Sequence, residues 1–185
     1  MTEDPSPHLR RVPTRELSAA DIEAARRVVW DAFPTGDEGF TEDDWEHGLG
    51  GVHFLLDVEG RLVAHASVVE REIHIDGRPF RTGYMEAVGV LPGLQGRGYG
   101  SRVVEPATGY IREGFELGVL GTGRHSFYER LGWRTWRGPS FVRTRAGDER
   151  TPDEDGYILV LETPTSRGLD WTAPISCDWR DGDVW

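Results

Sequence analysis

The spacing of apolar positions changes period several times along the chain, and each change marks an expected element. Leu9 to Leu17 reads as a first strand carrying arginines. Ser18, with Asp21 three residues on, forms a capping box for a helix running to about Phe33. Ile22, Ala25, Val28, Val29 and Ala32 fall on one stripe of that helix, and Pro34 ends it. After a loop from Pro34 to Phe40, Thr41 and Asp44 form a second capping box. It opens a short helix that carries Trp45 and stops at Gly48. Val52 to Asp57 and Arg61 to Ile75 read as strands joined at Glu59-Gly60, and Asp76-Gly77 is a strong hairpin turn into a third strand from about Pro79.

That third strand is the most informative stretch. Strict alternation puts Tyr84, Glu86, Val88 and Val90 on one face and Met85, Ala87, Gly89 and Leu91 on the other, with Pro92 as the stop. The run Gln95-Gly96-Arg97-Gly98-Tyr99-Gly100 follows, then a helix from Tyr99 to Glu113 that Pro106 is expected to bend or break. Glycines let a ligand approach the backbone, and the helix start offers unpaired N–H groups and a positive dipole end. Together they suit a pyrophosphate. No Gly-Lys-Ser/Thr triplet follows, and Ser101 stands where a dinucleotide fingerprint would carry its third glycine.

Downstream, Gly118 to Gly121 is expected as a short strand and Gly123 to Gly132 as a helix closed by Leu131-Gly132. Trp133 to Thr144 reads as a strand, Arg145 to Gly156 as a polar connection, and Tyr157 to Leu161 as a last strand. The order predicts a single α+β domain with a mixed, mostly antiparallel sheet. Residues 1–7 are expected to be disordered and 164–185 to form a tail.

Composition narrows the function. The 185 residues carry a net charge of −11 and a single cysteine, Cys177. Such a surface disfavours nucleic acid and anionic lipid and favours cationic ligands. One cysteine leaves no internal disulfide framework. No apolar run reaches membrane-spanning length, and the polar N-terminus has no signal-peptide core, so a soluble cytoplasmic protein is expected. The histidines show no ligand spacing, which predicts no metal site. Neither Cys177 nor Ser126 stands in a nucleophile motif.

Strand, proline, Gln-x-x-Gly-x-Gly and helix, in that order, resemble the acetyl-CoA site of the GNAT acetyltransferase superfamily. Ser126-Phe127-Tyr128-Glu129-Arg130-Leu131-Gly132-Trp133 resembles a second motif of the same superfamily. Within it, Thr41 to His47 before Leu49-Gly50-Gly51, Gly83 to Glu86, Arg150 to Gly156 and the terminal Cys177 to Trp185 look like the aminoglycoside 2'-N-acetyltransferases of actinobacteria. The resemblance spans Leu9 to Trp185. It implies a GNAT fold with splayed central strands, acetyl-CoA as cosubstrate, an aminoglycoside as acceptor and a homodimer.

It also implies roles. Glu86 would be the general base or hold the substrate ammonium, Tyr128 the general acid, and the Val88 N–H an oxyanion donor. Val88, Val90, Gln95, Gly96, Arg97, Gly98, Gly100 and Ser101 would bind coenzyme A. Asp37, Asp44, Glu86, Glu154, Asp183 and Trp185, the last through its α-carboxylate, would meet the cationic sugar. Gly39, Gly121 and Glu154 depart from the family pattern and leave the range of accepted drugs open. Two other readings stay open: a GNAT enzyme for another small-molecule or protein amine, and a module that binds acyl-CoA or drug without turnover.

Overall fold

The computed structural model describes residues 6–33 and 39–185, which form two compact units. One comprises the chain up to Val69 together with Met85–Ala107; the other comprises Glu70–Tyr84 and Thr108–Trp185. The disorder expected at 1–7 falls largely on residues outside the description, as does the Pro34 stop.

In the first unit, β1 (His8–Pro13) pairs antiparallel with β2 (Val52–Val58), and β2 with the first part of β3 (Arg61–Ile75). β1 is shorter than expected: after Pro13 the chain turns through a 3₁₀ segment, Thr14–Glu16, anchored by the Thr14 N–H on Gly51 O at 2.9 Å. α1 (Ala19–Ala32) and α2 (Glu42–His47) both open on complete capping boxes, Ser18 with Asp21 and Thr41 with Asp44. Ala25, Val28 and Val29 are the buried part of the predicted α1 stripe. Arg10 ties β1 to α1 and β2 through 2.7 Å ion pairs with Asp21 and Asp57.

Both hairpin turns form as read. Glu59 and Gly60, and Asp76 and Gly77, all adopt positive φ, the pair of conformations a tight two-residue hairpin needs. β4 (Arg78–Val90) departs from its prediction. Ala87 has φ of +49°, in the left-handed region that non-glycine residues avoid. Phe80 and every position from Thr82 to Met85 are buried, and from there on Ala87 and Gly89 are buried while Glu86, Val88 and Val90 are half-buried. The left-handed residue makes a local bulge in the strand, while Glu86, Val88 and Val90 keep the shared half-burial that alternation predicted for them. Gly89 is where α1 reaches the strand: a Cβ there would lie 3.1 Å from Ala32 Cβ.

α3 (Tyr99–Gly114) is continuous through Pro106, which does not break it. Burial of Val103, Val104, Ala107 and Ile111 offsets the hydrogen bond that proline removes.

In the second unit, β4 pairs in parallel with β5 (Leu117–Gly121) over Thr82–Tyr84 and Leu117–Val119. Both strands run on past that pairing. α4 (His125–Glu129) is shorter than the predicted Gly123–Gly132 helix, although Gly132 does turn the chain at φ of +93°. The expected Trp133–Thr144 strand is two strands, β6 (Arg134–Thr135) and β7 (Ser140–Thr144), because the chain leaves the sheet at Trp136–Pro139. β8 (Gly147–Arg150) forms a hairpin with β7 inside the polar connection, and β9 (Ile158–Glu162) pairs antiparallel with β5. The tail contributes β10 (Ile175–Asp178), antiparallel to the end of β3 and parallel to β7. Neither β8 nor β10 was expected. Trp133 and Trp136 anchor this core through indole N–H bonds to Thr108 Oγ1 at 3.0 Å and Ala173 O at 2.9 Å.

Candidate active site

In the first unit the glycine turn between β4 and α3 is exposed, and Gly93, Gly96 and Gly98 take φ of 78°, 77° and 82°. Backbone conformation, not lack of room, demands glycine there: no atom lies within 4 Å of a hypothetical Cβ at any of the three. Arg102 N–H already bonds Gly98 O at 3.2 Å, so the first α3 turn is formed and the N–H groups before it face outward. Gln95 donates its amide to Val90 O at 3.3 Å and closes the turn onto the strand end. Arg97 is exposed, Gly100 and Ser101 are half-buried on the first turn of α3, and Val88 and Val90 are half-buried on β4.

Glu86 is half-buried immediately before the bulge, and its backbone carbonyl accepts the Ser67 hydroxyl at 3.2 Å. Asp44 is partly committed: its Oδ2 accepts the Thr41 N–H and the Thr41 hydroxyl, both at 2.8 Å, leaving Oδ1 outside the cap. Asp37 lies outside the described residues. His53 and His65, set aside for want of ligand spacing, are both fully buried here. Burial pushes His53 down to about 4 and His65 to about 3, so both are neutral near pH 7.

In the second unit Tyr128 lies on α4, buried, with its ring edge-on to Phe127 and Trp133 at centroid distances of 4.9 and 6.3 Å. Burial pushes its phenol well above the ordinary tyrosine range, so it keeps its proton. The C-terminal segment is pinned at several points. Trp185 is buried and donates its indole N–H to Thr151 Oγ1 at 3.0 Å, while its backbone N–H reaches Asp183 Oδ1 at 3.3 Å. Arg180 holds Asp183 O at 2.7 Å, and the Cys177 thiol points to Val184 O at 3.2 Å.

These contacts fix the Trp185 backbone carbonyl beside Gly121. A Cβ at Gly121 would lie 3.6 Å from the Trp185 carbonyl carbon and 3.9 Å from the Tyr84 hydroxyl. Burial, then Asp183 and Asp153, raise the Glu154 carboxyl, so Glu154, Asp183 and Asp153 form one acidic locus in this unit. Sequence reading missed its basic neighbours. The guanidinium groups of Arg71 and Arg180 lie 4.6 and 5.5 Å from the Tyr84 ring centre, and Arg71 also binds Asp178. Their partners lie far away in sequence, so no local spacing could have signalled them. Among the described residues, no group of three or more His, Cys, Asp or Glu could hold a metal ion, and no helix is long and apolar enough to cross a membrane.

Residues 13–136 match the family model described as an acetyltransferase (GNAT) domain. The chain is 42% identical over 181 residues to the aminoglycoside 2'-N-acetyltransferase of Mycolicibacterium fortuitum, covering 95% of this chain and 91% of that one. Its fold is similar to that of a GNAT family N-acetyltransferase (YhbS) from Escherichia coli in complex with CoA. There the TM-score is 0.68 at 12% identity, covering 96% of this chain and 92% of the other. A GNAT family acetyltransferase from Brucella melitensis in complex with acetyl-CoA is similar with a TM-score of 0.63 at 17% identity, covering 95% and 97%.

Proposed function

The chain belongs to the GNAT acetyltransferases and, within them, to the family of the aminoglycoside 2'-N-acetyltransferases, and from that premise we propose that it moves an acetyl group from acetyl-CoA to the 2'-amino group of an aminoglycoside. The observation that carries this reading is 42% identity over 95% of the chain. The glycine turn and the formed α3 start suit the coenzyme pyrophosphate, and the acidic locus around the C-terminus suits a polycationic sugar.

The residues divide the chemistry as follows. Glu86, half-buried on β4, takes the proton that the acceptor ammonium must lose before nitrogen attacks. The Val88 N–H donates to the oxygen that gains charge as the thioester carbonyl becomes tetrahedral. Tyr128 gives its phenolic proton to the departing thiolate of coenzyme A, a role that requires a phenol still protonated at neutral pH. Val88, Val90, Gln95, Gly96, Arg97, Gly98, Gly100 and Ser101 hold the coenzyme. Asp44, Glu154, Asp183 and the Trp185 carboxylate receive ammonium groups, and Asp37 joins them. No acyl-enzyme forms. The protein acts in the cytoplasm as a homodimer; sedimentation at several concentrations tests the dimer.

Free coenzyme A thiol is the readout for the reaction. Purified protein, acetyl-CoA and paired 2'-amino and 2'-hydroxyl aminoglycosides should release thiol only with the 2'-amino members. Release with both sets would discard the 2' assignment. Calorimetric drug binding with no release would favour a non-catalytic module. Tyr128→Phe should lower kcat by about a hundredfold or more while drug affinity changes little; equal losses in both would remove the acid role.

A further inference from the structure

The bulge at Ala87 raises a question of support. A left-handed alanine is strained and persists only where its surroundings fix it. Here the fixing groups are side chains. His65 Nδ1 lies 2.7 Å from Ala87 O, and Ser67 Oγ lies 3.2 Å from Glu86 O. A carbonyl can only accept, so His65 carries its proton on Nδ1. A neutral ring then leaves Nε2 as an acceptor, 2.9 Å from His53 Nδ1, which must donate. His53 Nε2 in turn accepts from the Thr14 hydroxyl at 2.8 Å. Thr14 Oγ1 accepts the Gly50 N–H at 2.9 Å. The Thr14 hydroxyl also lies 3.2 Å from Gly51 O, the longer of its two acceptors, and from His53 onward each donor has one acceptor and the bonds point toward Ala87 O.

We propose that Thr14, His53 and His65 are positioning residues for acetyl transfer: a buried, one-way hydrogen-bond chain from the Gly50-Gly51 loop to the Ala87 bulge that holds the Glu86 carboxylate and the Val88 N–H in their working places. The proposal rests on the roles given to Glu86 and Val88 above. The chain ends on a carbonyl, which cannot pass a proton onward, so it fixes geometry and does not feed the base. Burial keeps both imidazoles neutral, the state in which donors and acceptors match along the line.

Packing closes the arrangement. Trp45 of α2 lies against His65 with ring centroids 6.1 Å apart. A Cβ at Gly48 would lie 3.0 Å from Ser67 Oγ and 3.3 Å from Ala87 Cβ, so the end of α2 rests directly on the bulge. The loop that follows α2 is the loop Thr14 grips. The hydrogen-bond chain thus locks the helix bearing Asp44 and the strand bearing Glu86 into one body. A displacement of about 1 Å at a reacting group can cost about a hundredfold in rate, which is the scale on which such bracing matters.

The test compares His65→Leu with His65→Asn in the full chain, with Glu86→Gln alongside. Asparagine keeps a donor near the Nδ1 position; leucine has none. For folded His65→Leu, kcat should fall about tenfold or more with the acetyl-CoA KM within about twofold, and His65→Asn should recover most of the loss. A folded His65→Leu with a kcat within about twofold of the parent would overturn the proposal. So would an asparagine variant that regains thermal stability but no turnover. Full turnover in Glu86→Gln sinks the base assignment instead. If leucine prevents folding, imidazole ¹⁵N spectra of the parent decide: both rings should be Nδ1–H tautomers from pH 8 to pH 5, and an Nε2–H His65 would refute the chain.

Discussion

The two halves of β4 obey different rules. From Arg78 to Tyr84 the strand is regular: no residue takes positive φ, and backbone pairs with backbone, Thr82–Tyr84 against Leu117–Val119. From Met85 to Val90, Ala87 is left-handed, and the carbonyls of Glu86 and Ala87 are met by the side chains of Ser67 and His65. Burial alternates through the second half, with Met85, Ala87 and Gly89 buried and Glu86, Val88 and Val90 half-buried, so two-residue alternation reads which side chains are covered but not where the backbone departs from an ordinary strand. The half with the irregular backbone is the half to which the proposed mechanism assigns Glu86 and Val88. Local irregularity held in place by distant side chains is the expected mark of a working segment.

Ala87→Val attacks that contrast most strongly. It puts a β-branched side chain at φ of +49° in a buried position, adding conformational strain to overpacking. The expected loss is about 4 kcal/mol by urea unfolding. Thr82→Val, in the regular half, removes only a hydroxyl bonded to Phe80 O and should cost about 1 kcal/mol. Equal losses would mean that the bulge is not strained.

Acid titration should give the next largest effect. His53 titrates at about 4 in the folded chain and near 6.5 when unfolded. Between those values the unfolded chain takes up the proton and the folded chain does not, so stability is complete above about pH 6.5 and falls as pH drops toward 4. His53 alone accounts for about 3 kcal/mol of that loss. Asp21, lowered chiefly by its hydrogen bond from Arg10, loses its contribution only below about pH 4 and leaves the window clear. Unfolding at pH 7, 5.5 and 4.5 should show a slope in His53→Phe about half that of the parent, the remainder coming from His65; parallel slopes would remove His53 as a cause.

Legibility followed the reach of each interaction. The boxes Ser18/Asp21 and Thr41/Asp44 and the turns Glu59-Gly60 and Asp76-Gly77 are settled within four residues, and all were readable. Motif spacing sufficed to single out Glu86, Tyr128 and the glycine turn as candidates. What escaped depends on partners far along the chain. β10 pairs with β3 and β7, Arg71 binds Asp178 across 107 residues, and His65 meets Ala87 across 22. Isolated histidines on an apolar strand carry no periodic signal, so the hydrogen-bond chain was invisible until the register of β2 and β3 placed His53 beside His65.

Reciprocal glycine and alanine exchanges bring the two halves to their finest contrast. Gly83 is in the regular half, and its need for glycine is steric: a Cβ there would lie 2.8 Å from Ile111 Cγ1 and 2.9 Å from Phe115 Cδ2. Gly83→Ala should therefore cost about 2 kcal/mol, the usual scale of a modest overpacking. Ala87 has the opposite problem, a side chain on a backbone conformation better suited to glycine. Ala87→Gly relieves about 1 kcal/mol of strain but removes a buried methyl worth about 0.8 kcal/mol and loosens the unfolded chain. The two sides nearly cancel, and the expected change is within about 0.5 kcal/mol by the same urea measurement. A loss above about 2 kcal/mol in Ala87→Gly would show that the methyl group, not the hydrogen bonds from Ser67 and His65, is what holds the bulge.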